Sequence, residues 1–269
     1  NLMMLFTEAP LLERPAAAAA SGFRAVETWW PFAGPRPADG DVETFASRLD
    51  EAGTGLVCCN FYGGAAAGDR GVLSLPEEQE AAWASIETVA AIAELTGCRT
   101  FHALYGNRLE GVPPGQQDDL AAANMALASA ALAPFDGTLV LEVLNPFDSP
   151  SYPLISLDAA LAARRRAEEA GATNIALLID LYHFGRLGTA PSDVLRRAGE
   201  LGAIGHVQIA DPPGRGEPGT GELGVEGLIG PLVAAGWDGW VGLEYRPSTT
   251  TEASLVWLAG DDLARLPAG

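Results

Sequence analysis

Four residues with oxygen-bearing side chains sit in or at the ends of apolar runs at regular intervals: Glu142, Asp180, Gln208 and Glu244, separated by 38, 28 and 36 residues. Each step is about the length of one strand and one helix. If consecutive strands are neighbours in a sheet, all four side chains converge on one point. Three carboxylates brought together without a cation repel, and some must then be protonated. A divalent cation removes the conflict. An all-oxygen set of three carboxylates and an amide suits a hard ion, Mg²⁺ or Mn²⁺, better than Zn²⁺. One acidic residue ending a strand is more often a solvated loop residue or a helix cap, so the shared register of all four carries the reading. Gln208, inside His206-Val207-Gln208-Ile209-Ala210-Asp211, adds to it. A buried amide without a partner costs about 1–3 kcal/mol, and the expected partner is the cation rather than another side chain.

Glu142 and Glu244 are the candidate catalytic pair. A substrate chelated through adjacent carbonyl and hydroxyl oxygens would lose a carbon-bound proton to one glutamate, giving an ene-diolate whose charge the cation stabilises. Return of the proton to the neighbouring carbon is an aldose–ketose isomerisation; return to the opposite face of the same carbon is an epimerisation. Spacing does not separate the two. His183, three positions past Asp180, and Arg215, in a Gly/Pro-rich loop, are the candidate substrate-binding residues. Gly214, Gly219 and Gly221 in that loop would let backbone approach a ligand closely. His102 lies within an apolar run, and His206 reads as a packed core residue.

These side chains need a scaffold. Apolar runs at residues 1–6, 23–28, 54–61, 98–105, 138–144, 174–180, 204–210 and 239–245 alternate with helical segments at 11–21, 41–52, 76–96, 116–131, 157–170, 192–201, 225–235 and 251–264. Alternation of strands and helices implies parallel pairing, and continuous apolar runs fit strands covered on both faces. Eight such units predict a (β/α)8 TIM barrel spanning 1–269 as one domain, with chemistry at the C-terminal strand ends. The competing open doubly wound sheet lacks a Gly-x-Gly-x-x-Gly after its first strand.

The formal net charge is −19, with 16 Lys plus Arg. Affinity for nucleic acid rests on neutralising phosphates, so neither nucleic acid nor an anionic membrane surface is an expected partner. No apolar run is long enough to cross a bilayer. Cys58, Cys59 and Cys98 are odd in number, which favours free, packed thiols and a cytoplasmic setting over a disulfide framework. Assembly into a homo-oligomer through outer helices is left open.

At the residues that would do the chemistry, the chain resembles the hydroxypyruvate isomerase family within the xylose isomerase-like TIM barrels. The resemblance runs nearly end to end. It is carried by Asn1-Leu2-Met3-Met4-Leu5-Phe6-Thr7-Glu8, Gly106-Asn107-Arg108, Leu141-Glu142, Asp180-Leu181-Tyr182-His183, the Gln208 strand with Glu217-Pro218-Gly219-Thr220-Gly221-Glu222, and Gly239-Trp240-Val241-Gly242-Leu243-Glu244-Tyr245. It implies that Glu142 and Glu244 are the acid/base pair, and that Glu142, Asp180, Gln208 and Glu244 bind Mg²⁺ or a similar ion. The implied substrate is a small keto acid, hydroxypyruvate or a 2-oxo-tetronate. Related ketose 3-epimerases usually carry His where Gln208 stands. The chain departs from the family pattern in the loop after the Gln208 strand, where Asn is expected near Pro213 and His near Gly216, at Arg246 in place of Lys, and in the bulk of Trp29-Trp30. A DNA-repair endonuclease on the same barrel would need many His ligands, and this chain has three. A non-catalytic sugar-binding barrel is the remaining alternative.

Overall fold

The structure is a computed structural model and describes residues 1–259. Seven strands form one parallel sheet in sequential order: β1 (Ala25–Thr28), β2 (Gly55–Asn60), β3 (Thr100–His102), β4 (Thr138–Glu142), β5 (Ile175–Asp180), β6 (Ile204–Ile209) and β7 (Val241–Leu243). They correspond to the second through eighth expected runs. Their side chains are buried on both faces, as in Ile175-Ala176-Leu177-Leu178-Ile179-Asp180, where all but Ala176 are buried. That is what a strand walled by helices on one side and barrel interior on the other requires.

The first expected strand is not a strand. Residues 1–6 make turns, with Met4 N and Leu5 N both donating to Asn1 O at 3.1 and 2.9 Å. Leu2 and Leu5 are nonetheless buried. The apolar run correctly signalled burial, but its backbone hydrogen bonds close locally instead of along a ladder. The segment still fills the gap between β7 and β1. Leu2 N donates to Glu27 O at 2.8 Å, and Asn1 N donates to Leu243 O at 2.9 Å. The barrel is therefore nearly closed by seven strands and one looped segment.

The helices that return the chain are α1 (Arg14–Ala20), α2 (Asp41–Ala52), α3 (Gln79–Thr96), α4 (Pro114–Leu132), α5 (Leu157–Glu169), α6 (Leu181–Arg186), α7 (Pro191–Glu200), α8 (Gly224–Ala235) and α9 (Thr251–Ser254). Their ends follow local chemistry. Ser156 Oγ accepts from Ala159 N at 3.2 Å to start α5, while Gly53, Gly97 and Gly236 end α2, α3 and α8 in the left-handed conformation. The final expected helix is shorter: α9 passes into a 3-10 turn, Leu255–Ala259, and the remainder of 251–264 lies outside the described residues. The short helix α6 was not expected. Asp180 caps it, accepting from Tyr182 N at 2.9 Å. All three cysteines are free and buried, as expected. No described helix is long and apolar enough to cross a membrane.

Candidate active site

The register of the sheet sets the site. Asp180 and Gln208 are direct partners across β5 and β6, Glu142 closes β4 opposite Leu178, and Glu244 N donates to Ile209 O beyond the end of β7. Glu142, Asp180, Gln208 and Glu244 are each at most 4% exposed. Ligand atoms of Glu142, Asp180 and His183 all lie within 4.8 Å of one another. Of the residues singled out from spacing, Glu142 and Asp180 thus lie together with His183, Gln208 is the register partner of Asp180, and Glu244 is joined to Asp180 through Arg215.

Burial pushes the Glu142 carboxyl well above its ordinary value, and the charges of Glu244 and Asp180 push it further. Burial likewise raises Asp180, to about 7, against the opposing charge of Arg215. Arg215 places a cation inside the cluster. Its Nη2 donates to Asp180 Oδ2 at 3.2 Å and to Glu244 Oε2, its Nε donates to Glu244 O at 3.1 Å, and its guanidinium stacks 4.8 Å from the Tyr182 ring centroid.

Two histidines flank Glu142. The backbone N–H of Asn145 donates to His183 Nδ1 at 3.0 Å, so the ring proton of a neutral His183 sits on Nε2. That nitrogen lies 3.7 Å from Glu142 Oε1, 3.6 Å from Asp180 Oδ2 and 3.4 Å from Arg215 Nη1. Burial, then the charge of Arg215, holds the ring neutral. His183 and Arg215 therefore present two N–H groups side by side, a geometry that suits a substrate oxygen. His102 is the reverse case. Its Nδ1 bonds Asn60 Oδ1 at 3.2 Å, leaving the Nε2 lone pair 3.3 Å from Glu142 Oε2, and burial lowers its pKa to about 3. A neutral imidazole acceptor beside a carboxyl that favours its acid form is a consistent pairing.

Glu244 differs from Glu142 in its surroundings. Trp29 Nε1 and Asn1 Nδ2 donate to its Oε1, at 2.5 and 3.2 Å, and Arg215 donates to its Oε2. One glutamate of the pair is encircled by donors; the other has the His102 acceptor beside one oxygen and the His183 N–H 3.7 Å from the other.

Spacing missed Glu27. This residue of β1 is 3% exposed, and its Oε2 receives His206 Nε2 at 2.6 Å. Its Oε1 receives Gln208 Nε2 at 2.8 Å and Asn1 Nδ2 at 2.9 Å. Burial works against the charge, but the bond and charge of His206 hold the carboxyl down at about 2. Gln208 therefore pairs with a side chain after all, through its nitrogen; its Oε1 is buried with no hydrogen-bond partner among the described residues. His206, expected as a packed core residue, is buried and paired. A Glu between Val26 and Thr28 in a short expected strand was the available signal for Glu27.

Within the loop after β6, Gly219 and Gly221 have internal roles. The Asp211 carboxylate accepts from the backbone N–H of Gly219, Leu223 and Gly224 at 2.9, 3.0 and 3.1 Å. A Cβ on Gly221 would lie 2.1 Å from Pro212 O and 2.6 Å from Asp211 Oδ1. Nothing lies within 4 Å of a Cβ on Gly214.

The donor set fits a divalent cation. Among the described residues, Glu142 Oε1 and Gln208 Oε1 are both buried without hydrogen-bond partners, an expensive state for polar atoms unless something binds them, and two neighbouring carboxyls are pushed toward protonation.

Comparison with known proteins agrees with this geometry. Residues 15–260 match the family model described as xylose isomerase-like TIM barrel. The chain is 49% identical to a putative hydroxypyruvate isomerase of Streptomyces coelicolor, covering 98% of this chain and 96% of the relative. It is 34% identical to a 2-oxo-tetronate isomerase of Cupriavidus necator, covering 96% and 95%. A crystal structure of an AP endonuclease, family 2, from Brucella melitensis superposes with a TM-score of 0.86 at 32% identity, covering 96% of each chain. The chain belongs to the hydroxypyruvate isomerase family, within the xylose isomerase-like TIM barrels.

Proposed function

We propose that this protein is a divalent metal-dependent isomerase of a small hydroxy-keto acid, interconverting hydroxypyruvate and tartronate semialdehyde or acting on a 2-oxo-tetronate. The observation that carries this is the unlike pair of buried glutamates around one oxygen-lined point: Glu244 with donors on both oxygens, Glu142 with an unpartnered oxygen. The names of the relatives, hydroxypyruvate isomerase and 2-oxo-tetronate isomerase, support the substrate class.

Glu142, Asp180, Gln208 and Glu244 would hold the cation, Mg²⁺ or Mn²⁺, which when bound supplies a Lewis acid for a carbonyl oxygen and offsets the negative charge of the cluster. The reaction moves one carbon-bound proton. On hydroxypyruvate, the Glu244 carboxylate takes a proton from C3, and the C3–H electron pair becomes the C2–C3 double bond of the ene-diol(ate). The C2=O π pair moves onto O2 as that double bond forms. Glu142, in its acid form, then gives a proton to C2 while the O3 proton passes to O2, leaving an aldehyde at C3, and the proton gained by Glu244 returns to Glu142 by exchange with solvent before the next turnover. His183 Nε2–H and the Arg215 guanidinium bind substrate oxygens from the side facing both carboxyls. Catalysis by such a pair is worth roughly 10²–10⁴-fold per proton transfer.

The test is turnover of hydroxypyruvate, 2-oxo-tetronates and free ketoses by the purified chain with Mg²⁺ or Mn²⁺. Isomerisation of a keto acid is expected. No turnover of either keto acid refutes the proposal, and tritium exchange at C3 of free ketoses would transfer it to a 3-epimerase.

A further inference from the structure

Among the described residues Glu27 is hydrogen-bonded to neither Glu142 nor Asp180, yet its buried carboxylate accepts three side-chain hydrogen bonds. It reaches across from β1 to β6, to residues 179 and 181 positions away in the chain. Room for it is provided by Gly242 of β7: a Cβ there would lie 2.3 Å from Glu27 Oε2 and 2.5 Å from its carboxyl carbon. Three strands thus contribute to placing one carboxylate under Gln208.

The consequence lies in the symmetry of the Gln side chain. A primary amide has nearly the same shape when its oxygen and nitrogen are exchanged, but only one orientation offers an oxygen to a cation. A carboxylate presents acceptors alone, so an amide beside it must turn its NH2 toward the carboxylate and its oxygen away. Asn1 shows the same preference, directing its Nδ2 at the same Glu27 oxygen. Gln208 does this, and its Oε1 is left buried and unpartnered. We infer that Glu27 is a positioning residue that selects the metal-binding orientation of the Gln208 amide. This rests on the proposal that Gln208 is a metal ligand, and adds the group that makes a glutamine serviceable in that place.

Groups that hydrogen-bond the ligands of a metal typically change its affinity by about 10–100-fold when removed. Mn²⁺ binding, measured by paramagnetic resonance of the free ion and normalised to the folded fraction, is expected to weaken by that factor in Glu27→Met. Glu27→Gln retains an acceptor oxygen and is expected to recover most of the loss. In a Gln208→Met background, Glu27→Met is expected to cause no further loss. Unchanged affinity in Glu27→Met, or an undiminished loss in the Gln208→Met background, overturns the inference while leaving the metal site standing. Absence of Mn²⁺ binding by the unaltered chain overturns both. A measurement on the unaltered chain guards against variants that fail to fold. Mg²⁺ should shift the Gln208 Cδ resonance while its side-chain N–H protons stay protected, and exchange of those protons at the free-amide rate overturns the inference.

Discussion

Replacing His206 by leucine tests the energetics beneath the site. His206 supplies the largest influence holding the Glu27 carboxyl at about 2 instead of its ordinary 4.5. A displacement of that size corresponds to about 3 kcal/mol at about 1.4 kcal/mol per unit. Removing one partner of a buried pair costs about 3–5 kcal/mol by a separate route, because the remaining charge keeps its desolvation cost without its partner. For a chain of this length, about 3 kcal/mol lowers Tm by roughly 6–12 °C. The pH dependence supplies a second check. Because the folded pKa lies below the unfolded one, the contribution of Glu27 is fully present above about pH 4.5 and is lost as pH falls through about 2. In His206→Leu the carboxyl loses that support and burial favours its acid form, so the gap between variant and parent narrows on acidification. Thermal unfolding followed by circular dichroism from pH 7 to pH 3 measures both. A Tm decrease of less than about 2 °C at pH 7, or a gap that widens in acid, refutes the reasoning.

Glu142→Gln and Glu244→Gln should each lower kcat by roughly 10²–10⁴-fold in an isomerase assay, and near-normal turnover in either variant removes that residue from the acid/base pair. Without a divalent cation, Asp180 titrates at about 7 when folded against an ordinary 3.8. The folded state then holds the extra proton, and stability should fall as pH rises from about 4 to 7; Tm measured in chelator and in excess Mn²⁺ should show this slope only in chelator. Trp29→Phe removes an N–H donor to Glu244 while keeping aromatic bulk, and should lower kcat more than it alters KM.

The parts of the site that are local in sequence could be read from it. Glu142, Asp180, Gln208 and Glu244 each announce themselves as an oxygen-bearing residue in or at the end of an apolar run, and parallel strand order converts their spacing into proximity. Glu27 could not be read this way. Its meaning depends on His206 and Gln208, about 180 residues distant, and on a missing Cβ at Gly242. The same limit applied to residues 1–6. An apolar run reports that side chains are buried, and says little about whether the backbone is extended, so the looped closure between β7 and β1 looked like a strand. Gly221 shows a related limit: it is required by the approach of Asp211, a constraint internal to the loop that composition cannot distinguish from a ligand's.

The Asp211 carboxylate, clasping three backbone N–H groups of its own loop, bears on how the protein binds as well as how it folds. Arg215 lies within that clasped segment, and its carbonyl receives Arg246 N at 2.7 Å. The entropy of ordering the segment is therefore spent when the chain folds, not when substrate arrives. On the proposed function, a small keto acid, with few atoms to contribute contact energy, would meet a guanidinium already in position, with no loop closure required to precede its association.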